Sequence, residues 1–128
     1  MDLLLDTHAF LWWVTGDAAL SAAAREAIGD SGNRIFVSAA SAWEIATKVR
    51  IGKLPGAAAA VENVAGVLAD QGFAGLAISF EHAQAAGALP GPHKDPFDRM
   101  LIAQAMLDGM VLVSNEQPFD GYGVRRLW

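Results

Sequence analysis

The sequence predicts an α/β domain built on a parallel β-sheet. Short, fully apolar segments recur along the chain, and stretches with helical spacing of apolar residues separate them. Strands that alternate with helices form parallel sheets through right-handed crossovers. With 128 residues, 53% of them hydrophobic, the chain fits one domain (1–128) with a well-packed core.

The predicted elements follow one another in a regular order. Apolar segments predict strands at 3–5, 35–37, 76–78 and 110–113, with a fifth strand at an edge over 124–127. Helices are expected over 7–14, 22–28 after Ser21, 39–50 after Ser38, 57–70, about 80–87, and 97–107 after Pro96. The 39–50 and 57–70 helices form an expected hairpin. One face of the first carries Ala39, Ala42, Trp43, Ala46 and Val49. The apolar faces of the two helices are expected either to bind an antitoxin segment or to pack as ordinary core.

The composition excludes several classes of protein. The chain has no cysteine, which rules out disulfides, thiolate metal sites and a cysteine nucleophile. The first apolar segment stops at Asp6, and no long apolar run follows, so we expect no signal peptide, no membrane span and a cytoplasmic location. The net charge of −5 argues against a nucleic-acid ligand unless the acids bind cations, which reverse the local sign.

Four carboxylates are expected at one edge of the sheet. Asp6 ends the first strand, Glu116 follows the fourth, Glu44 lies on the helix after the second, and Asp98 opens the helix before the fourth. Ligands of open α/β sheets bind beyond the carboxyl ends of the strands. Clustered carboxylates repel one another unless a cation lies among them, and oxygen ligands suit Mg²⁺ or Mn²⁺. Such an ion would activate water for attack on a phosphodiester.

Each of these acids also has an ordinary structural role open to it. Asp6 and Asp98 both suit helix N-termini. Glu44 can pair with Lys48, four residues further along the same helix, and Glu116 suits a turn. The sequence alone therefore leaves a metal site and a set of unrelated structural acids as comparable alternatives.

Four segments carry a more specific signal. They are LLDTHAFLWW (4–13), SAASAWEI (38–45), DPFDRMLIAQA (95–105) and LVSNEQPF (112–119). In order and spacing they resemble the motifs of PIN-domain proteins of the VapC toxin type, over the whole chain. The resemblance implies a three-layer α/β/α domain with a four- to five-stranded parallel sheet. It also implies an endoribonuclease that uses Mg²⁺ or Mn²⁺, is neutralised by a cognate VapB-like antitoxin and forms a homodimer.

The family's catalytic and metal-binding roles carry over by position. Asp6, Glu44 and Asp98 match the three core acids of the PIN motifs. The fourth position is commonly aspartate in a threonine-x-aspartate motif, and here Ser114 and Glu116 occupy that motif. Glutamate keeps the charge but reaches one methylene further, so we assign Glu116 as the fourth ligand on charge alone.

Several neighbours are assigned supporting roles. The hydroxyls of Thr7 and Ser114 are expected either to hold a carboxylate in place or simply to bond at strand ends and caps. Asp95 either assists through water or shapes the turn before the helix. His93, a single histidine in a loop, is expected to have no special role.

Basic and aromatic residues suggest contacts with partners. Lys48, Lys94 and Arg99 lie near the proposed ligands in sequence, so they are candidates for RNA phosphate contacts or for ordinary surface charge. Trp12 and Trp13 are adjacent, so one is expected in the core. The other is expected either in a groove that binds an antitoxin helix, which we favour, or stacked on an RNA base.

Three other functions compete with a nuclease. A non-catalytic PIN-like binding module is supported only by Glu116. A phosphoacceptor domain requires an aspartate at a central strand end and a lysine after a later strand, an arrangement that neither 76–78 nor 110–113 supplies. A haloacid-dehalogenase-type phosphatase requires a second aspartate two residues after Asp6, where His8 stands.

Overall fold

Five parallel strands form the sheet at the centre of the molecule, in the order β3-β2-β1-β4-β5. The computed structural model describes residues 1–54 and 61–128. The strands are β1 (Asp2–Leu5), β2 (Arg34–Ser38), β3 (Ala74–Leu76), β4 (Val111–Val113) and β5 (Arg126–Leu127). Every neighbouring pair is parallel, so all carboxyl ends lie at one edge of the sheet. The predicted parallel α/β fold is confirmed.

Helices cover both faces of this sheet. They are α1 (Thr7–Thr15), α2 (Ala22–Gly29), α3 (Ala39–Arg50), α4 (Val64–Gln71), α5 (Phe80–Ala88), α6 (Pro96–Asp108) and a 3-10 helix (Gln117–Tyr122). Alternate residues of a strand point to opposite faces, and β1 shows the result. Leu3 and Leu5 pack into one core, whereas Leu4 packs into the other with Leu101 of α6. In the described ranges, no helix is long and apolar enough to cross a bilayer.

Two elements have bounds that differ from those predicted. The third strand runs over Ala74–Leu76 and not 76–78, because β3 pairs with β2 in a register that aligns Leu76 with Ser38. The helix predicted over 57–70 is observed as α4, which begins after its N-cap Asn63. Residues 57–60 of that prediction lie outside the described residues.

The apolar face of α3 is not packed as ordinary core, the second of the two alternatives open to it. Trp43 is 61% exposed and Val49 is 39% exposed, so the apolar stripe faces outward. The buried residues of the helix are Ala40, Ser41, Glu44 and Ile45. The inward face is partly polar because Ser41 and Glu44 both contact Thr7 at the sheet edge. All of α4 is described, and none of its residues is buried either.

Candidate metal centre

Asp6 is fixed at the carboxyl end of the central strand. It directly follows β1, and its backbone N–H donates to the carbonyl oxygen of Val113 at the end of β4 (3.0 Å). Its Oδ1 accepts a hydrogen bond from the Ala9 N–H (2.7 Å), which makes Asp6 the N-cap of α1. The residue is only 4% exposed. The predicted capping role is thus confirmed, and it holds the carboxylate at the sheet edge.

Glu44 lies on α3 and is equally buried, at 4% exposure. The Thr7 hydroxyl donates to its Oε1 at 2.5 Å, and the Lys48 ammonium donates to its Oε2 at 2.5 Å. The Thr7 oxygen also lies 3.0 Å from the Ser41 hydroxyl. A buried carboxylate needs such partners, because an uncompensated buried charge is costly. The structure therefore shows the predicted pair with Lys48, and it shows the Thr7 hydroxyl holding a predicted site acid.

Asp98 enters the same region from the first turn of α6. Its Oδ2 lies 2.7 Å from Nε2 of His93, and its side chain is 24% exposed. Asp95 is the N-cap of that helix and accepts hydrogen bonds from the backbone N–H groups of Phe97 (2.8 Å) and Asp98 (3.2 Å). Of the two roles predicted for Asp95, the structure shows the one that shapes the turn.

Burial raises the pKa of Asp6 to about 6. Interactions with the Ser114 hydroxyl and the Ala9 amide act in the opposite direction, and the negative charge of Asp98 adds to the increase. Burial is the largest cause because removing a carboxylate from water disfavours its charged form. Asp6 therefore carries a negative charge at neutral pH that its protein neighbours compensate only in part.

Burial also raises the pKa of Asp98. The hydrogen bond from His93 lowers it, while the charges of Asp95 and Glu44 raise it. Asp98 thus acts on Asp6, and Glu44 acts on Asp98. Three of the four predicted acids, which are far apart in sequence, lie close enough to influence one another electrostatically.

This donor set suits a divalent cation in its chemistry but is not arranged as a complete set of ligands. Buried carboxylate oxygens at mutually repulsive positions are what Mg²⁺ and Mn²⁺ bind. Within residues 1–54 and 61–128, however, no three histidine, aspartate or glutamate side chains are placed to hold one ion. Both carboxylate oxygens of Glu44 are bonded, one to Thr7 and one to Lys48, whereas only one oxygen of Asp98 is bonded, to His93. An ion shared by all three acids therefore requires Glu44 to turn away from Lys48.

The fourth predicted acid is less closely coupled to the others. Ser114 is fully buried just after β4, and its hydroxyl accepts a hydrogen bond from the Glu116 N–H (3.0 Å). Glu116 precedes the 3-10 helix at its N-cap position, but its side chain makes no capping bond. The carboxylates that act on Asp6 and Asp98 do not include it. Its place as a metal ligand stays a prediction.

The predicted phosphate contacts differ in availability. Lys94 is exposed, and Lys48 bonds to Glu44. The Arg99 guanidinium instead donates to three backbone carbonyls between residues 86 and 93. These three hydrogen bonds anchor the loop before α6, and two of the five guanidinium N–H donors are not used in them. The contact of Arg99 with RNA phosphate stays a prediction.

Trp12 and Trp13 do not divide between core and groove as predicted. Both are half-buried at the rim of the core. The Trp12 ring stacks on His8 at 5.5 Å and lies 5.8 Å from Trp128, measured between ring centroids. The Trp13 Nε1–H donates to the Gln71 side chain (2.9 Å). The prediction that one ring lies in the core and the other in a groove is wrong, because both side chains lie at the border of the buried face of α1.

Sequence reasoning missed His93. The structure places it in contact with a predicted site acid, 2.7 Å from Asp98. His93 and Asp98 are five residues apart, and the end of a loop and the start of a helix lie between them. Such a spacing does not predict whether two side chains meet. The only sequence signal was the presence of a titratable group beside one of the four motifs.

Comparison with known proteins agrees with the predicted fold and family. The chain belongs to the PIN domain family, whose sequence model matches residues 3–124. It is similar in structure to a VapBC2 complex of Rickettsia felis bound to promoter DNA, with 14% identity, coverage of 99% of this chain and 98% of that chain, and a TM-score of 0.72. DNA-bound VapBC of Salmonella typhimurium has 18% identity, 99% and 97% coverage, and a TM-score of 0.72.

A third structure is VapC20 of Mycobacterium tuberculosis, described as a toxin that cleaves the sarcin-ricin loop. It shares 15% identity over 95% of both chains, with a TM-score of 0.67. At these identities the similarity establishes the fold. Comparison with curated protein sequences gives no match. The predicted resemblance to the PIN domain family is confirmed.

Proposed function

We propose that this PIN domain is a metal-dependent endoribonuclease that acts as the toxin of a toxin–antitoxin pair. The observation that carries the proposal is the convergence of Asp6, Glu44 and Asp98 at the carboxyl edge of the sheet, where their charges act on one another. Two further observations support it: the match to the PIN domain model, and a structural neighbour that is named a toxin cleaving the sarcin-ricin loop.

Asp6 and Asp98 are the acids best placed to bind the ion. The charge of Asp6 is compensated only in part, and only one oxygen of Asp98 is bonded to His93. A bound Mg²⁺ or Mn²⁺ supplies Lewis acidity, which activates water and stabilises charge on phosphate. Glu44 completes the set after release from Lys48, whose ammonium is then available to an RNA phosphate. Glu116 is the fourth acid of the proposal.

A cleavage assay tests this function. Purified protein is incubated with RNA in Mn²⁺ or Mg²⁺, with and without EDTA, beside the Asp6→Asn and Glu116→Gln variants. Asp2→Asn is the matched control, because Asp2 begins the same strand and is bonded to Arg34 far from the site edge. We expect EDTA and Asp6→Asn each to reduce cleavage by about 100-fold or more, since both remove the ion. Cleavage that persists in EDTA, or an Asp6→Asn variant as active as the wild type, contradicts the proposal.

A non-catalytic RNA-binding module is the alternative. It is favoured by the side-chain arrangement, in which the described acids do not form a ready set of metal ligands. This alternative predicts RNA binding without cleavage in any divalent ion. It also predicts that Asp6→Asn leaves RNA affinity unchanged.

The outer face of α3 and the N-terminal end of α4 is where we propose that the antitoxin binds. A cavity of about 410 Å³ opens there, and apolar side chains of both helices line it, among them Ala42, Val49 and Val64. The structural neighbours include VapBC complexes, which supports such a partner for this chain. Exposed apolar patches commonly mark protein contacts. The predicted homodimer is a further part of the proposal.

The antitoxin surface can be tested separately from catalysis. The inhibitor is the proposed cognate VapB-like antitoxin, added to the cleavage assay with the wild type and with Val49→Glu. We expect the wild type to be inhibited and the variant to cleave RNA but escape inhibition, because a charge at position 49 disrupts an apolar contact. Equal inhibition of both proteins contradicts this binding surface.

A further inference from the structure

We propose that His93 is a positioning residue that holds the Asp98 carboxylate in the orientation in which it binds the metal ion. This inference rests on the proposed metal-dependent function. Its basis is a short contact, 2.7 Å between His93 Nε2 and Asp98 Oδ2, made by a loop residue that several other groups immobilise.

The ring of His93 is held from the side by the protein core. It meets Phe119 edge-on, with 5.5 Å between ring centroids and an interplanar angle of 89°. Phe119 is fully buried on the 3-10 helix. A ring fixed against a core residue keeps its nitrogen in one direction, which is what a positioning contact requires.

The backbone of His93 is also held on both sides. Its N–H donates to the Tyr122 hydroxyl oxygen at 2.8 Å, and its carbonyl oxygen accepts from Arg99 Nη1 at 2.9 Å. Arg99 directly follows Asp98 on α6, so the loop that carries the histidine is tied to the helix that carries its partner. These contacts restrain the backbone of His93 relative to the start of α6.

Gly91 shows that the loop is fitted closely to Tyr122. It has a φ of +116°, and a Cβ built there would lie 2.5 Å from the Tyr122 ring atom Cε1. Only glycine combines this backbone conformation with so close an approach. The loop is therefore packed closely around Tyr122, and the hydrogen bond from the His93 N–H to the Tyr122 hydroxyl oxygen belongs to the same fit.

The contact leaves one carboxylate oxygen available. His93 bonds to Oδ2 of Asp98, and no hydrogen bond from any described residue reaches Oδ1. When a donor already holds one oxygen of a carboxylate, the group loses less orientational freedom as its second oxygen binds a metal ion. Loss of such a supporting contact typically weakens metal affinity by 10- to 100-fold.

Binding of Mn²⁺ to the purified full chain tests the inference without any measurement of activity. The amount of free Mn²⁺ is followed by electron paramagnetic resonance for the wild type, His93→Ala, His93→Gln and His93→Asn. The amide nitrogen of glutamine can occupy the place of His93 Nε2, whereas that of asparagine is too short to reach Asp98. We expect about 10- to 100-fold weaker Mn²⁺ binding for His93→Ala and His93→Asn, and near-wild-type binding for His93→Gln. Circular dichroism confirms that each variant is folded.

The outcomes separate this inference from the proposed function. If the wild type binds Mn²⁺ and folded His93→Asn binds it equally well, the positioning role is overturned while the metal site stands. Tighter binding by His93→Ala also overturns it, because the imidazole would then compete with the ion for Asp98. If the wild type itself binds no Mn²⁺ at millimolar concentration, the proposed function fails as well.

Discussion

Asp6 carries a buried negative charge that destabilises the metal-free protein. Folding raises the pKa of Asp6 from 3.8 to about 6, chiefly through burial. The acid is therefore harder to ionise in the folded chain than in the unfolded chain. Protonation of Asp6 therefore stabilises the folded chain relative to the unfolded chain. This stabilisation is fully present below about pH 4 and is lost as the pH rises through about 6. Above that pH the loss is about 3 kcal/mol, since each pKa unit corresponds to about 1.4 kcal/mol.

Asp6→Asn removes this charge and keeps the cap. The asparagine oxygen still accepts the hydrogen bond from the Ala9 N–H, which caps α1. In EDTA at pH 7.5 we expect the variant to be more stable than the wild type by up to about 3 kcal/mol, or roughly 10 °C in Tm. At pH 4 the difference should almost vanish, because Asp6 is then protonated in the folded wild type. Added Mn²⁺ should stabilise the wild type and leave the variant unchanged.

Urea unfolding at the two pH values measures these differences. Asp2→Asn is the control with the opposite sign, because the hydrogen bond from Arg34 lowers the pKa of Asp2 and its loss brings no stabilisation. The account of Asp6 is refuted if folded Asp6→Asn is no more stable than the wild type at pH 7.5. It is also refuted if the gain is the same at pH 4 as at pH 7.5.

Three further predictions concern the groups around the site. Thr7→Val should weaken Mn²⁺ binding about 10-fold in a titration, because it removes a hydrogen bond to buried Glu44, whereas Thr7→Ser should retain affinity. Arg99→Lys should destabilise the protein by about 2–3 kcal/mol in urea unfolding, because an ammonium cannot reach all three carbonyls; an unchanged midpoint would argue against this anchor. Gly91→Ala should cost about 1–3 kcal/mol in the same measurement, since its Cβ would collide with Tyr122; unaltered stability would disprove the close fit.

Local sequence patterns predicted the features that depend on neighbouring residues. Ser21 and Ser38 cap helices as expected, because a cap is formed by groups only two or three positions apart. The strand at the start of the chain and the acid that ends it were also predictable. A run of buried leucines identifies a central strand, and its carboxyl end identifies the site edge.

Features that depend on contacts between distant elements were not predictable. The inward face of α3 is partly polar because Thr7, which is 37 residues from Glu44 in sequence, donates a hydrogen bond to the Glu44 side chain. Hydrophobic spacing identified the apolar face of α3 but could not decide whether that face packs in the core. Arg99 gave no sequence signal that its donors are used by the loop before it, and His93 gave none that it reaches Asp98. Loop geometry decides both cases.

The direct test of the central claim is the position of Mn²⁺ in crystals of the protein, located by anomalous scattering. The account predicts a peak bonded to oxygens of Asp6 and Asp98, with Glu44 turned away from Lys48 to join them. A peak bound elsewhere, or well-ordered crystals in millimolar Mn²⁺ with Glu44 still on Lys48 and no ion between the two aspartates, would contradict it.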